Sequence, residues 1–425
     1  MKTISGSKAR YSGRFSRALL LLAFFLCSVL PALSQGRPQR PLPEGAGKAM
    51  VEASCVQCHD LNRVTRPTGH TPEEWQTIMD NMIKLGISLT PEQIPVVTAY
   101  LVSNFPDRSI KAVLIPGPVE ISIQEWTVPT PGSNPHDPLV APDGSIWYTG
   151  GGANLMGRFD PETAQFKEYP LKTPNSGAHG LVADTKGNIW FTAQRGGYIG
   201  KLNPETGDLK EYKMPGPDAI HPHTPLIDKK GILWFTMSAD SMMGRLVPET
   251  GEVKLVKTAT PDAHPYGLVI DSKGIPFFAM HGSNRLGSID PATLKIREYV
   301  LPNSDARPRR IAITPDDVLW YSDDGRGALG RYDPKTGKAS EWPSPSGPKS
   351  NPYAITTVGN IVWYCETGVK PNTVVRFDPR TEKFQTWPIP SGGGTVRNMM
   401  PSSEGNLWLA TSGVNGIAMV EVKSN

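Results

Sequence analysis

From residue 121 to residue 423 the chain alternates apolar and polar positions in short runs, punctuated by Asp, Asn, Gly and Pro. One unit runs from Ala178 through Thr192, resumes at Tyr198 to Pro204, and ends with Leu209-Lys-Glu-Tyr212. Period-two alternation predicts strands, and the turn residues mark their ends, giving four short strands per unit. A bulky aromatic anchors the second strand of every unit: Trp147, Trp190, Trp234, Phe277, Trp320, Trp363 and Trp408, spaced by 43, 44, 43, 43, 43 and 45 residues. Seven units of this length predict a β-propeller, whose blades run to about 40–45 residues. The last unit lacks a fourth strand, and Ile121–Val128 matches the missing element. This segment is expected to complete the seventh blade and close the ring, leaving no open sheet edge there.

Upstream, between residues 44 and 108, the apolar period becomes helical. Glu44 to Ser54 reads as a short helix. Thr71-Pro72-Glu73-Glu74 is a helix start, with Thr71 as cap and Glu74 three residues on. Trp75, Ile78, Met79, Met82 and Leu85 follow at helical spacing up to Gly86, and Thr90-Pro91-Glu92-Gln93 opens a third helix through Ile94, Val97, Tyr100 and Leu101. Directly after the first helix stands Cys55-Val56-Gln57-Cys58-His59, the C-x-x-C-H signature of covalent haem attachment. Two thiols three residues apart reach the two haem vinyl groups, and the next imidazole faces the iron. A redox C-x-x-C expects a βαβ setting, which this segment lacks. The segment resembles class I cytochromes c. That resemblance implies three helices around one haem c, Cys55 and Cys58 as attachment points, His59 as proximal ligand and a distal Met. Met82, nearest the Gly86 break, is favoured over Met79; His70 is the other candidate, giving a bis-His site of lower potential. The expected fold class is therefore multidomain, a small all-α cytochrome c domain (44–108), a linker (109–120) and an all-β propeller (121–423).

The first 34 residues carry a basic start (Lys8, Arg10, Arg14, Arg17), an apolar run from Ala18 to Leu30, Pro31 and Ala32-Leu33-Ser34. This is the layout of an export signal, with cleavage expected after Ser34. The mature chain is then periplasmic or secreted, with no membrane span. Of four cysteines, Cys27 leaves with the signal, Cys55 and Cys58 form one motif, and Cys365 sits alone in an apolar strand, which excludes a disulfide framework. Net charge is only +4, arguing against nucleic acid as a partner.

Candidate chemistry in the propeller lies where the first strands meet the central channel. The position eleven residues before each anchor (ten in the sixth unit) reads His136, His179, His223, Tyr266, Arg309, Tyr353 and Arg397, with no aliphatic residue. Three readings compete: a solvated channel lining, a site for a small anionic or polar ligand on Arg309 and Arg397, and a divalent metal on His136, His179 and His223.

The unit G-x-P-H-x-[IL]-x-x-[DP]-x-x-G-x-[IL]-W-F-T…I-G-R-[IL]-[DT]-P…E-[YF]-x-[IL]-P resembles the virginiamycin B lyase (streptogramin lyase) family across residues 121–423. The resemblance implies a seven-bladed propeller and, in the family, ring-opening of a cyclic depsipeptide ester by elimination with Mg²⁺, a His base and two Glu. In this chain Thr395 and Arg397 stand where the family has Glu-x-His, Ser412 where it has the second Glu, and Tyr353 where it has the sixth-blade His. A guanidinium cannot act as base at neutral pH. The expected function is accordingly an exported electron-transfer protein with a redox partner protein, its propeller binding a partner or small polar ligand. The alternatives are a streptogramin-lyase-like C–O lyase with a haem module, and a haem-linked periplasmic oxidoreductase.

Overall fold

The structure is a computed structural model, and it describes residues 41–55, 61, 64, 69–84, 86–216 and 220–423. The expected signal segment, Cys58 and His59 lie outside the described residues. The chain divides into two compact units, residues 1–107 and 108–425.

The larger unit is a seven-bladed propeller. Each of its seven main sheets holds four antiparallel strands in meander order. The first blade is Pro138–Val140, Ile146–Gly150, Leu155–Asp160 and Gln165–Pro170; the fifth is Pro308–Ile313, Leu319–Asp323, Ala328–Tyr332 and Ala339–Pro343. The seventh combines Val396–Pro401, Leu407–Thr411 and Gly416–Val422 with Ile121–Thr127 from the front of the unit. Ile121 pairs with Val422 and Thr127 with Gly416, so one sheet joins both ends of the ring. First strands of neighbouring blades lie side by side all round the circle, the seventh against the first included.

Burial explains the repeat. Second strands such as Ile146–Gly150 and Ile189–Ala193 are buried along their whole length, whereas fourth strands such as Gln165–Pro170 alternate between half-buried and exposed. Each Trp anchor is at most 3 % exposed, so it is core and not a ligand shelf. An aromatic of the fourth strand stacks on the anchor in the same blade: Trp147 on Tyr169 at 5.2 Å, Trp190 on Tyr212 at 5.4 Å, and Trp408 on Trp126 of the closing strand at 5.6 Å. The recurring third-strand glycine is forced by close approach. A Cβ at Gly157 would lie 1.9 Å from the Tyr148 ring, and one at Gly330 would lie 2.0 Å from the Tyr321 ring. Residues 110–119 run along the sixth blade. Ile110–Lys111 pairs in parallel with Val369–Lys370, Thr386 N–H donates to Ile115 O, and Gln385 donates to Val119 O.

The smaller unit contains α1 (Lys48–Ser54), α2 (Pro72–Lys84) and α3 (Gln93–Asn104). The Thr71 capping box forms in full: Glu74 N–H donates to Thr71 Oγ1 at 3.2 Å and Thr71 N–H to Glu74 Oε2 at 3.0 Å. Val51, Trp75, Met79, Val97, Tyr100 and Leu101 pack as its apolar cluster.

The expected fold class needs correction. The architecture is an all-β seven-bladed propeller preceded by three helices of 7, 13 and 12 residues, and no separate small all-α cytochrome c domain is shown among the described residues. The physical reason is that capping boxes and apolar spacing are local signals. They report single helices and not the assembly of those helices round a cofactor. No helix among the described residues is long and apolar enough to cross a membrane.

Candidate functional site

The channel-mouth residues owe their placement to a repeated irregularity. In blades two to seven the ladder between first and second strands slips at one place: between Ala178 and Leu181, Pro222 and Pro225, Pro265 and Leu268, Pro308 and Ile311, Pro352 and Ile355, and Val396 and Met399. His179, His223, Tyr266, Arg309, Tyr353 and Arg397 each sit inside that slip. A bulge re-aims side chains that a regular strand would send to the sheet faces.

In blades one, two, three and five a hydroxyl two residues after the anchor ties the first strand of the next blade; blades four, six and seven have Ala279, Cys365 and Ala410 there. Thr192 Oγ1 donates to His223 O at 2.6 Å while accepting Gly180 N–H at 2.9 Å. Thr149 reaches His179 O, Thr236 reaches Tyr266 O, and Ser322 reaches Tyr353 O, at 2.7, 2.8 and 2.8 Å. His179, His223, Tyr266 and Tyr353 are thus each held by a side chain of the blade before.

The rings form a continuous run. His136 packs tilted against His179 at 3.6 Å between centroids, His179 against His223 at 3.9 Å, and His223 against Tyr266 at 4.0 Å, with interplanar angles of 40°, 45° and 54°. The Tyr266 and Tyr353 phenols share a hydrogen bond of 2.5 Å, and the Arg309 guanidinium lies 3.6 Å over the Tyr353 ring. Burial, reinforced by Arg397, Arg310 and Arg309, holds the His136 imidazole well below its ordinary range. Burial does the same for His179 and His223, with help from the neighbouring imidazole and Arg310. All three imidazoles are therefore neutral at pH 7. Burial alone would push the Tyr353 phenol up, but Arg309, Arg310 and Arg397 outweigh it and hold it below the usual phenol range. The imidazoles lie in a run, with His136 and His223 6.5 Å apart, and among the described residues no three His, Cys, Asp or Glu side chains are grouped to hold a metal ion.

Three guanidiniums face two carboxylates. Arg310, 3 % exposed, reaches across the ring from the fifth blade to Asp137 beside the first, at 2.6 and 3.3 Å. Arg309 donates to Asp324 at 2.9 Å. Half-buried Arg397 makes no ion pair with a described carboxylate, although its charge acts on His136, His179 and Tyr353. Of the two cations expected to bind an anion, Arg309 is neutralised and Arg397 is not.

Sequence reasoning passed over Asp137 and Asp324, the two counter-ions. The signal for Asp324 lay four residues after the Trp320 anchor, beside Asp323. Asp324 also faces His281 Nε2, at 3.0 and 3.1 Å. Ser412, where the resemblance implies a Glu, donates its hydroxyl to Pro135 O.

In the smaller unit, Cys55 is the C-cap of α1 and packs on the apolar cluster, where burial pushes its thiol up. Met79 is 2 % exposed within that cluster, whereas Met82 is half-buried and lies outside it. His70 sits edge-on to Trp75 at 4.7 Å with its Nδ1 3.6 Å from Glu74.

The sequence pattern of the virginiamycin B lyase family matches residues 164–425. A streptogramin B lyase structure is 26 % identical with a TM-score of 0.65, covering 71 % of this chain and 98 % of that one. A virginiamycin B lyase from Staphylococcus aureus, 24 % identical, has a TM-score of 0.65 and coverages of 71 % and 99 %. The extracellular domain of a one-component system protein of B. thetaiotaomicron, 16 % identical, shares the fold with a TM-score of 0.56 over 71 % of this chain and 42 % of its own. No curated protein is found to match.

Proposed function

Since the chain belongs to the virginiamycin B lyase family, we propose that its propeller is a binding member of that family, holding a small anionic ligand on Arg397 at the channel mouth. The observation that carries this reading is the charge balance there: Arg309 and Arg310 are paired with Asp324 and Asp137, the imidazoles are neutral, and Arg397 is left over. A planar guanidinium suits a carboxylate or phosphate, which it can grip with two parallel hydrogen bonds. The buried rings of His179, His223, Tyr266 and Tyr353 pack behind the mouth and hold its guanidiniums in place. Ester opening of the family's kind has lost its acid and base side chains, with Thr395, Arg397, Ser412 and Tyr353 at those positions. Calorimetric titration with matched anionic and neutral small molecules tests the reading. Binding confined to anions and weakened by salt supports it; indifference to charge overturns it.

We also infer that the chain carries haem c on Cys55 and Cys58, with His59 as proximal and Met82 as distal ligand, in an exported protein that passes electrons to a protein partner. The donor set fits: two thiols and an imidazole in C-x-x-C-H, with Cys55 against an apolar cluster and half-buried Met82 outside it. Met79 is committed to packing, and His70 to Glu74 and Trp75. Bound there, haem iron supplies one-electron chemistry. The extracellular domain among the structural neighbours agrees with export. The visible spectrum of the exported protein tests this inference: a covalent c-type band lost in Cys55→Ala/Cys58→Ala supports it, and absence of the band when a haem-attachment system is present overturns it.

A further inference from the structure

The seven-fold repeat is broken at one seam. Four residues after the anchor the blades carry Gly151, Gln194, Ser238, His281, Asp324, Thr367 and Ser412, so an imidazole and a carboxylate fall side by side only on blades four and five. His281 Nε2 faces both Asp324 oxygens at 3.0 and 3.1 Å, while the His281 side chain stays 32 % exposed. The pair is tied to the mouth. Asp324 also accepts from Arg309, Arg309 stacks on Tyr353, and the Tyr266 ring lies 5.6 Å from that of His281. We propose that His281 is the general base of a hydrolytic site for small anionic esters, with Asp324 as its positioning residue and Arg397 retaining the substrate's anionic group; this rests on the Arg397 reading above.

The chemistry follows from the pairing. With its Nε2–H donating to Asp324, His281 has a lone pair at Nδ1, and the carboxylate fixes both tautomer and ring orientation. No hydroxyl or thiol among the described residues is hydrogen-bonded to the His281 ring, so the nucleophile is water. His281 Nδ1 takes a proton as the water oxygen bonds to the ester carbonyl carbon, and the carbonyl electron pair moves onto oxygen. Arg309, whose guanidinium donates to the same Asp324 carboxylate, is the adjacent cation for that oxyanion. Return of the electron pair breaks the ester C–O bond, and the leaving alkoxide recovers the proton from His281. One ester and one water give one acid and one alcohol, with no oxidant or reductant.

The test uses the full-length protein with the 4-nitrophenyl monoester of succinate, neutral 4-nitrophenyl acetate as control, and succinate as a non-reacting probe. The expected result is saturable turnover of the anionic ester. His281→Gln should lower kcat by about 100-fold or more while leaving KM and succinate binding unchanged. Asp324→Asn should lower kcat less, and Arg397→Ala should raise KM with kcat retained. Turnover equal in wild type and His281→Gln, or none in wild type, overturns the proposal. In those cases intact succinate binding leaves the Arg397 reading standing, and its loss from wild type fails that reading as well.

Discussion

Arg310 and Asp137 lie 173 positions apart in the chain, yet form a buried ion pair across the channel. Removing one partner strands the other charge in a desolvated site, which costs about 3–5 kcal/mol. Arg310→Met should destabilise the propeller by that amount in denaturant titration, and adding Asp137→Leu should recover most of the loss. Asp323 behaves differently. It accepts Arg307 N–H and Arg326 N–H on one oxygen, its other oxygen is buried without a partner, and burial pushes its carboxyl up to about 6. A folded value above the unfolded one, about 3.9, favours the protonated fold. Stability from Asp323 is thus complete below about pH 4 and lost as pH rises through about 6, a swing on the order of 3 kcal/mol. Asp323→Asn should flatten that slope in pH-resolved unfolding curves. The imidazole run has the opposite sign. Its depressed folded values give stability that is present above about pH 6.5 and lost as pH falls below it. His179→Phe, which keeps the ring packing, should improve acid tolerance in thermal melts at pH 5. The mouth positions were legible from their constant offset to the anchors. Their counter-ions were not, because pairing across a channel appears only once the ring closes.

At the scale of the element, the second strands were the clearest text, since a fully buried run with an aromatic anchor recurs at nearly constant spacing. The helices upstream were equally readable one by one: the Thr71–Glu74 box forms as its spacing predicts. Their assembly was over-read, because helical spacing says nothing about what a set of helices surrounds. Least visible was the hydroxyl two residues after the anchor in four of the blades. Thr192 looks like ordinary strand filling, yet it bridges Gly180 N–H and His223 O between two blades. Thr192→Val keeps the shape and strands both groups, so a loss of about 1–3 kcal/mol is expected by denaturation. Closing the ring rests on Ile121–Thr127 and on the stacking of Trp126 against Trp408. Trp126→Ala should lower stability by about 3 kcal/mol, read as a fall in Tm.

For the whole molecule, the family is set by the fold and the repeat, and the function by the side chains at the mouth of the ring. The fold is that of the virginiamycin B lyases. What the ring offers is a cationic, aromatic-walled mouth whose one unneutralised guanidinium among the described residues is Arg397. The decisive measurement is the dissociation constant of a small carboxylate such as succinate for the full-length protein and for Arg397→Ala, by calorimetry at low salt. The account predicts binding to the wild type that is weakened about tenfold or more in the variant, as loss of a charge-assisted pair requires, with Arg397→Lys in between. Equal affinity in wild type and Arg397→Ala would contradict it.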